Sequence, residues 1–172
     1  MNSRVHPEDS ARLEEGEPTD RAAFGLLHFL ENTIMCITTI TRERLVDNQR
    51  TSITAGLFGV HFPLLVEPLV YALTESMTRE YRGGYWEFYR LSNGGFYMAP
   101  DSGSYYPVAC QNGYEGVLSA DALGITACLY AYSHLSFLDN PALAEACAEQ
   151  YHLLRDYMLR HAEARAILAA TD

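Results

Sequence analysis

Apolar and polar positions along the chain follow two rhythms, one of nearly four residues and one of two. After Pro63, Leu65, Leu69 and Leu73 recur every fourth position, and Val66, Val70 and Thr74 do the same beside them. That spacing predicts a helix over PLLVEPLVYALTESMTREY with one broad apolar face. Pro68 lies in its early part, so the helix starts or kinks there. The stretch SADALGITACLYAYSHLSFLD is apolar nearly all round, which predicts a helix at the centre of the fold, with Ser119 as its cap and Asp121 in its first turn. Asn140-Pro141 opens another helix, whose buried stripe is Leu143, Cys147, Tyr151, Leu154 and Met158. A last short helix is expected over about 163–170. Nearer the N-terminus, Asp47 or Asn48 caps a short helix running to Phe58. Residues 22–32 read as a helix, and TIMCITTIT after them as a β-branched strand.

The two-residue rhythm is concentrated in the middle. Gly83 to Pro100 carries six aromatic side chains around Asn93-Gly94, a dipeptide that tolerates the positive φ angles of a tight hairpin. With Asn93 and Gly94 as a two-residue loop, Ser92 faces Gly95, Leu91 faces Phe96 and Arg90 faces Tyr97. Side chains then alternate. Tyr89, Leu91, Phe96 and Met98 form a core face, and Trp86, Phe88, Arg90 and Tyr97 form an aromatic face bearing a charge that is costly to bury alone. A three-residue loop would exchange these faces. Asn112-Gly113 repeats the device, placing Val108 opposite Val117. The expectation is an α+β fold, a four-stranded antiparallel meander over 85–118 packed against several helices, in a single domain over 21–172. Residues 1–20, polar, acidic and rich in turn-formers, are expected to be a flexible tail.

Charge narrows the function. The 172 residues carry a formal net charge of −10, and all twelve basic residues are arginine. Without lysine there is no phosphate-loop lysine, no Schiff base and no lysine general base. No dense basic stripe exists for a nucleic-acid backbone, so direct nucleic-acid binding is not expected. Beyond residue 20, sixteen acids face ten arginines, leaving six net negative charges over 152 residues. That is sparse beside duplex DNA, with one charge per ~1.7 Å of axis, and disfavours a DNA mimic. The N-terminus is acidic and the apolar stretch 22–41 is interrupted by His28, Glu31 and Asn32, which argues against a leader or membrane helix and for the cytoplasm.

Candidate chemistry is thin. Cys36, Cys110, Cys128 and Cys147 are widely spaced in apolar surroundings and read as reduced, buried side chains. His134 reads as a core histidine; pairing it with Cys128 or Cys110 as base and nucleophile is the least implausible enzyme reading. Glu149 and His152 have the spacing of a metal pair, yet a second such motif is missing, so a solvated helix face is the better reading. Asp101, Glu87 and Glu115 read as loop and strand-edge carboxylates. No cofactor is expected. The Trp86, Phe88, Arg90 and Tyr97 face is the one feature resembling a partner-binding patch, because Trp, Tyr and Arg dominate interface energetics.

The segments YRGGYWEFYRLSNGGFYMAPD, NGYEGVLSADALGI and AYSHLSF resemble the ArdB/KlcA antirestriction family, strongly from Arg79 to Phe137 and well to the C-terminus. Gln49 to Thr78 matches weakly, and the first forty residues align with nothing in it. Among the matched positions, Asn93, Gly94, Gly95, Asn112 and Gly113 serve turns, and Ser119 and Asp121 a helix start. The resemblance implies a non-enzymatic protein of plasmids and other mobile elements that protects incoming DNA from host type I restriction without imitating DNA. Its implied partner is a host protein, the restriction enzyme or a factor associated with it. The alternatives kept beside this are the Cys/His enzyme and the acidic DNA mimic.

Overall fold

The computed structural model describes residues 39–172, which form one compact unit. The tail expected over 1–20, the helix over 22–32, Cys36 and most of the strand expected over 33–41 lie outside the described residues. The elements are β1 (Arg42–Arg44), α1 (Asp47–Phe58), a π-helical turn (Phe62–Val66), α2 (Glu67–Met77), β2 (Trp86–Leu91), β3 (Phe96–Pro100), β4 (Tyr105–Ala109), β5 (Glu115–Ser119), α3 (Ala120–Leu135), α4 (Pro141–Met158) and α5 (Ala164–Thr171). The class is α+β. Ser119 Oγ caps α3 by accepting from Ala122 N, and Asn140 Oδ1 caps α4 by accepting from Leu143 N. Pro68 sits at the start of α2, and the widened turn before it absorbs the bend between α1 and α2. Among the described residues no single helix is long and apolar enough to cross a membrane.

Both hairpins are one residue out of the expected register. Leu91 pairs with Gly95, so the loop is Ser92-Asn93-Gly94: Leu91 N donates to Gly95 O (2.7 Å) and Gly94 N to Leu91 O (2.9 Å). The second hairpin repeats this, with Cys110 N donating to Tyr114 O (2.8 Å) and Gly113 N to Cys110 O (3.0 Å). Val108 therefore faces Gly116 rather than Val117. Gly94 (φ 93°) and Gly113 (φ 87°) occupy the left-handed position that closes a three-residue loop. Asn93 and Asn112 sit one residue earlier, where each side-chain oxygen accepts from the amide two residues on. The same Asn-Gly signal fits both loop types, and these side-chain bonds fit the longer one.

The four expected strands exist, but they do not form one meander. β1, β2 and β3 make a three-stranded antiparallel sheet, and β4–β5 make a separate hairpin. The cause is α3, which lies along the outer edge of β3. Cys128 Sγ accepts from Met98 N (3.4 Å), and the Tyr132 hydroxyl donates to Phe96 O (2.9 Å). These side chains occupy the backbone groups that β4 would need. Pro100 then ends β3 without a donor of its own.

The register also decides the core. Phe88 pairs with Met98 and Arg90 with Phe96, so Trp86, Phe88, Phe96 and Met98 share one face. Phe58 and Phe62 pack on that face, with Phe62 5.8 Å from both Phe88 and Phe96. Trp86 Nε1 donates to Tyr81 Oη (2.6 Å), and its ring lies 5.1 Å from Tyr71 of α2. α3 is buried along nearly its whole length, as its composition requires. Gly124 lets it touch the sheet, since a Cβ there would stand 2.5 Å from Ala99 Cα and Met98 O. We expect Gly124→Ala to lower stability by about 1–3 kcal/mol despite alanine's better helix propensity. Urea unfolding checks this, and unchanged or raised stability contradicts the close approach.

Candidate functional site

The aromatic patch read from the sequence is not a surface. Trp86, Phe88 and Tyr97 are 4 %, 7 % and 0 % exposed, and only Arg90 reaches solvent. Arg90 does not lie over Tyr97. It pairs with Glu43 on one side and Phe96 on the other, on the opposite face of the sheet. One residue of register moved Phe88 inward and brought Tyr89 opposite Tyr97 instead.

The other face is open only along its β1 side, at Arg42, Arg44 and the half-buried Tyr89. β1 supplies Arg42 and Arg44, β2 supplies Glu87 and Tyr89, and β3 supplies Tyr97. A stack runs across it. The Arg42 guanidinium lies 4.8 Å from the Tyr89 ring, Tyr89 lies 4.9 Å from Tyr97, and Tyr97 lies 5.8 Å from Tyr157 of α4. Beneath it Asp121, in the first turn of α3, gathers the polar groups. Arg42 Nη1 donates to Asp121 Oδ1 and to Tyr97 Oη (2.5 Å); Tyr97 Oη donates to Asp121 Oδ1 (3.0 Å). His161 accepts at Nδ1 from Glu163 N (3.0 Å), which leaves Nε2 to donate to Asp121 Oδ2 (3.0 Å). Glu163 in turn receives both Ser119 N (3.1 Å) and the Ser119 hydroxyl. Asp121 thus ties β1, β3, α3 and the α4–α5 turn together, well beyond the helix-start role its position suggested.

Electrostatics fit a fixed floor. Burial pushes the Asp121 carboxyl up, but His161, Arg42 and Tyr97 outweigh it and hold the group below the usual carboxylate range. Burial, then the Asp121 charge, pushes the Tyr97 phenol well above its ordinary value, so it stays a donor. A second anchor lies beside this one. Glu87, expected at a strand edge, is buried and receives Arg44 Nη1 and Arg50 Nη2, each at 2.8 Å. Arg50 also donates to Trp86 O (2.9 Å). Buried Glu87 and partly buried Asp121 are therefore both paired, as burial demands. What faces solvent is cationic and aromatic. The Arg44 and Arg42 side chains are 63 % and 40 % exposed, and beyond Nη1 their donors have no partner among the described residues. Such groups bind carboxylates. The proton-carrying groups behind them are already bonded to one another.

The remaining candidates are dispersed. His134 is exposed, with its ring 6.2 Å from Tyr130, and is not a core residue; α3 turns that face outward at its C-terminal end. Cys110, Cys128 and Cys147 are free and buried. Burial pushes the Cys128 thiol up to about 12 and the Cys147 thiol to about 11, and raises Cys110 as well. Cys128 and His134 do not pair, because Cys128 faces β3 while His134 faces solvent. Glu149 and His152 lie on the exposed side of α4, and Asp101 and Glu115 are exposed singly. Among the described residues no three metal-ligating side chains come together. Sequence reasoning missed Arg42, Arg44, Tyr157, His161 and Glu163. Arg42–Arg44 reads Arg-Glu-Arg, which carries no strand signal, and the others are brought in only by tertiary contacts.

For Asp121→Asn we expect a loss of about 2 kcal/mol at neutral pH, since hydrogen bonds to a charged group are lost. The folded carboxyl is depressed, so its contribution is complete above its unfolded value, 3.8, and fades as pH falls through the lower folded value. Urea unfolding of both proteins across pH 7 to 2.5 checks this. A gap that does not narrow below pH 4 contradicts it.

Comparison with known proteins places this geometry in a family. The family model described as "Antirestriction protein" matches residues 79–172. An antirestriction protein KlcA of Escherichia coli is 38 % identical over 135 residues, spanning 77 % of this chain and 95 % of that one. A second KlcA of Escherichia coli is 44 % identical over 137 residues, spanning 77 % and 94 %. The chain also superposes on a solved structure with a TM-score of 0.71 at 39 % identity, covering 77 % of this chain and 95 % of that one. That structure comes from work on KlcA and ArdB, which are said to show a novel fold and antirestriction activity against type I DNA restriction systems in vivo but not in vitro. The chain belongs to the antirestriction protein family, as the motif from Arg79 onward implied.

Proposed function

We propose that the protein counters host type I restriction by binding a host protein through the Arg42–Arg44–Tyr89 face, without imitating DNA. The observation that carries this reading is the layout of that face. Guanidinium groups are exposed beside a half-buried tyrosine ring, while the carboxylates that fix them lie beneath. Arginine and tyrosine on a rigid base are the groups that dominate protein interfaces. A DNA mimic requires the reverse, an outward array of carboxylates. The behaviour of KlcA and ArdB, active in vivo but not in vitro, supports dependence on a further cellular component. A protein contact supplies such a dependence. The carriage of this chain on mobile DNA and action in the cytoplasm belong to the same reading.

The test is a restriction assay in cells carrying a type I system, challenged with unmodified phage. Arg44→Ala combined with Tyr89→Ala, with its fold checked by near-ultraviolet circular dichroism, is expected to lose protection by about tenfold or more. Glu149→Gln, on the exposed side of α4, is expected to protect fully. Full protection by a folded double variant removes this face from the mechanism.

A further inference from the structure

The three-stranded sheet has two edges, and the fold treats them differently. In an antiparallel ladder only alternate residues bond to a given neighbour, and the others point their N–H and C=O groups away. On β3 the outward residues are Phe96 and Met98, and α3 closes them with Tyr132 and Cys128. On β1 the bonding pattern is equally clear. Leu45 N donates to Phe88 O (2.8 Å) and Ser92 N to Thr41 O (2.9 Å), so residues 41, 43 and 45 face β2. The backbone groups of Arg42 and Arg44 therefore point outward. β1 is the edge strand, and among the described residues nothing pairs with its outer side.

We propose that this edge receives an extended acidic segment of a partner protein, which adds as a fourth antiparallel strand with carboxylates at alternate positions against Arg42 and Arg44. The inference rests on the contact face proposed above and names how that face is used. Four outward backbone groups on two residues give the directional part of the contact. Selectivity comes from the side chains. Arg42 and Arg44 are two residues apart on one face, roughly 7 Å along the strand, the spacing that an incoming strand gives its own alternate side chains. Their partners Asp121 and Glu87 lie inward, so the exposed part of each pair is the guanidinium with its unused donors. Adding a carboxylate there completes the fork without displacing the buried one. Two arginines on so short an edge also repel basic strands and penalise apolar ones, which protects the edge against indiscriminate pairing. In a chain of net charge −10 a cationic edge is a selective feature.

The experiment uses the full chain and two seven-residue peptides, one alternating threonine and glutamate, the other threonine and lysine. Titration calorimetry is expected to show binding of the glutamate peptide alone, weakening as salt rises. Hydrogen exchange read by NMR is expected to slow at the Arg42 and Arg44 amides on binding. The Glu43 amide, already bonded to β2, is expected to keep its rate. Arg44→Ala is expected to weaken binding about fivefold. Arg44→Pro removes the guanidinium, as Arg44→Ala does, and in addition the outward backbone donor, a loss that edge strands accept, and is expected to weaken binding about tenfold or more. Equal binding of the lysine peptide, protection elsewhere but not at Arg42 and Arg44, or affinity in folded Arg44→Pro no weaker than in Arg44→Ala each overturns the proposal. Protection of those two amides by a dimer without peptide also overturns it, because the edge then belongs to a second copy. Absent peptide binding alongside lost cellular protection in Arg44→Ala, Tyr89→Ala overturns strand addition and leaves the contact face standing. Peptide binding alongside full protection upholds the edge site and removes it from antirestriction.

Discussion

The pairing of β2 with β3 is the constraint from which the rest of the molecule follows. Gly94 at positive φ closes a three-residue loop, and Asn93 fixes it twice: its Oδ1 accepts from Gly95 N, and its Nδ2 donates to the Leu153 carbonyl of α4. With that loop, Phe88 meets Met98 and enters the aromatic core, while Tyr89 meets Tyr97 on the opposite face. A two-residue loop would send Phe88 out and Tyr89 in. Because side chains alternate strictly, no partial version exists. The composition of the core, the polar floor around Asp121 and the exposed arginine edge are consequences of one loop.

The second consequence is asymmetry. α3 is apolar on all sides and must be surrounded, so it lies against the outer edge of β3, with Gly124 permitting contact at backbone distance. Its own Cys128 and Tyr132 satisfy the strand there, which detaches β4–β5 as a separate hairpin. Its N-terminus simultaneously delivers Asp121 to the polar face, where a carboxylate is favoured by the helix dipole. The same helix thus closes one edge of the sheet and builds the floor on which the groups of the other edge stand. Arg42 and Arg44 are held from beneath by Asp121 and Glu87, which reduces the freedom that an arginine must lose on binding.

Much of this was legible in the residues. The fourfold spacing after Pro63, the apolar run after Ser119 and the Asn140-Pro141 signal each placed a helix, because local chemistry governs those choices. The long motif from Arg79 carried the family. What was not legible depended on a choice that local chemistry leaves open. Asn-Gly suits both a two-residue and a three-residue loop, and the choice between them reversed the placing of Phe88 and Tyr89. The splitting of the sheet was hidden for a similar reason, since nothing in β3 or β4 reveals that a helix will occupy the edge between them. Arg42–Arg44 forms a strand only because β2 is there to pair with it. His161 and Glu163 join the polar floor from forty residues away, so no window of sequence holds the site.

The central claim is a matter of register, and a direct reading of register tests it. In an antiparallel ladder the α-protons of non-hydrogen-bonded pairs approach most closely. The account predicts strong nuclear Overhauser effects between the α-protons of Phe88 and Met98 and of Arg90 and Phe96. Contacts between the α-protons of Leu91 and Phe96 and of Tyr89 and Met98 in their place would mark the two-residue loop, put the arginine–tyrosine face on the wrong side of the sheet and contradict the account.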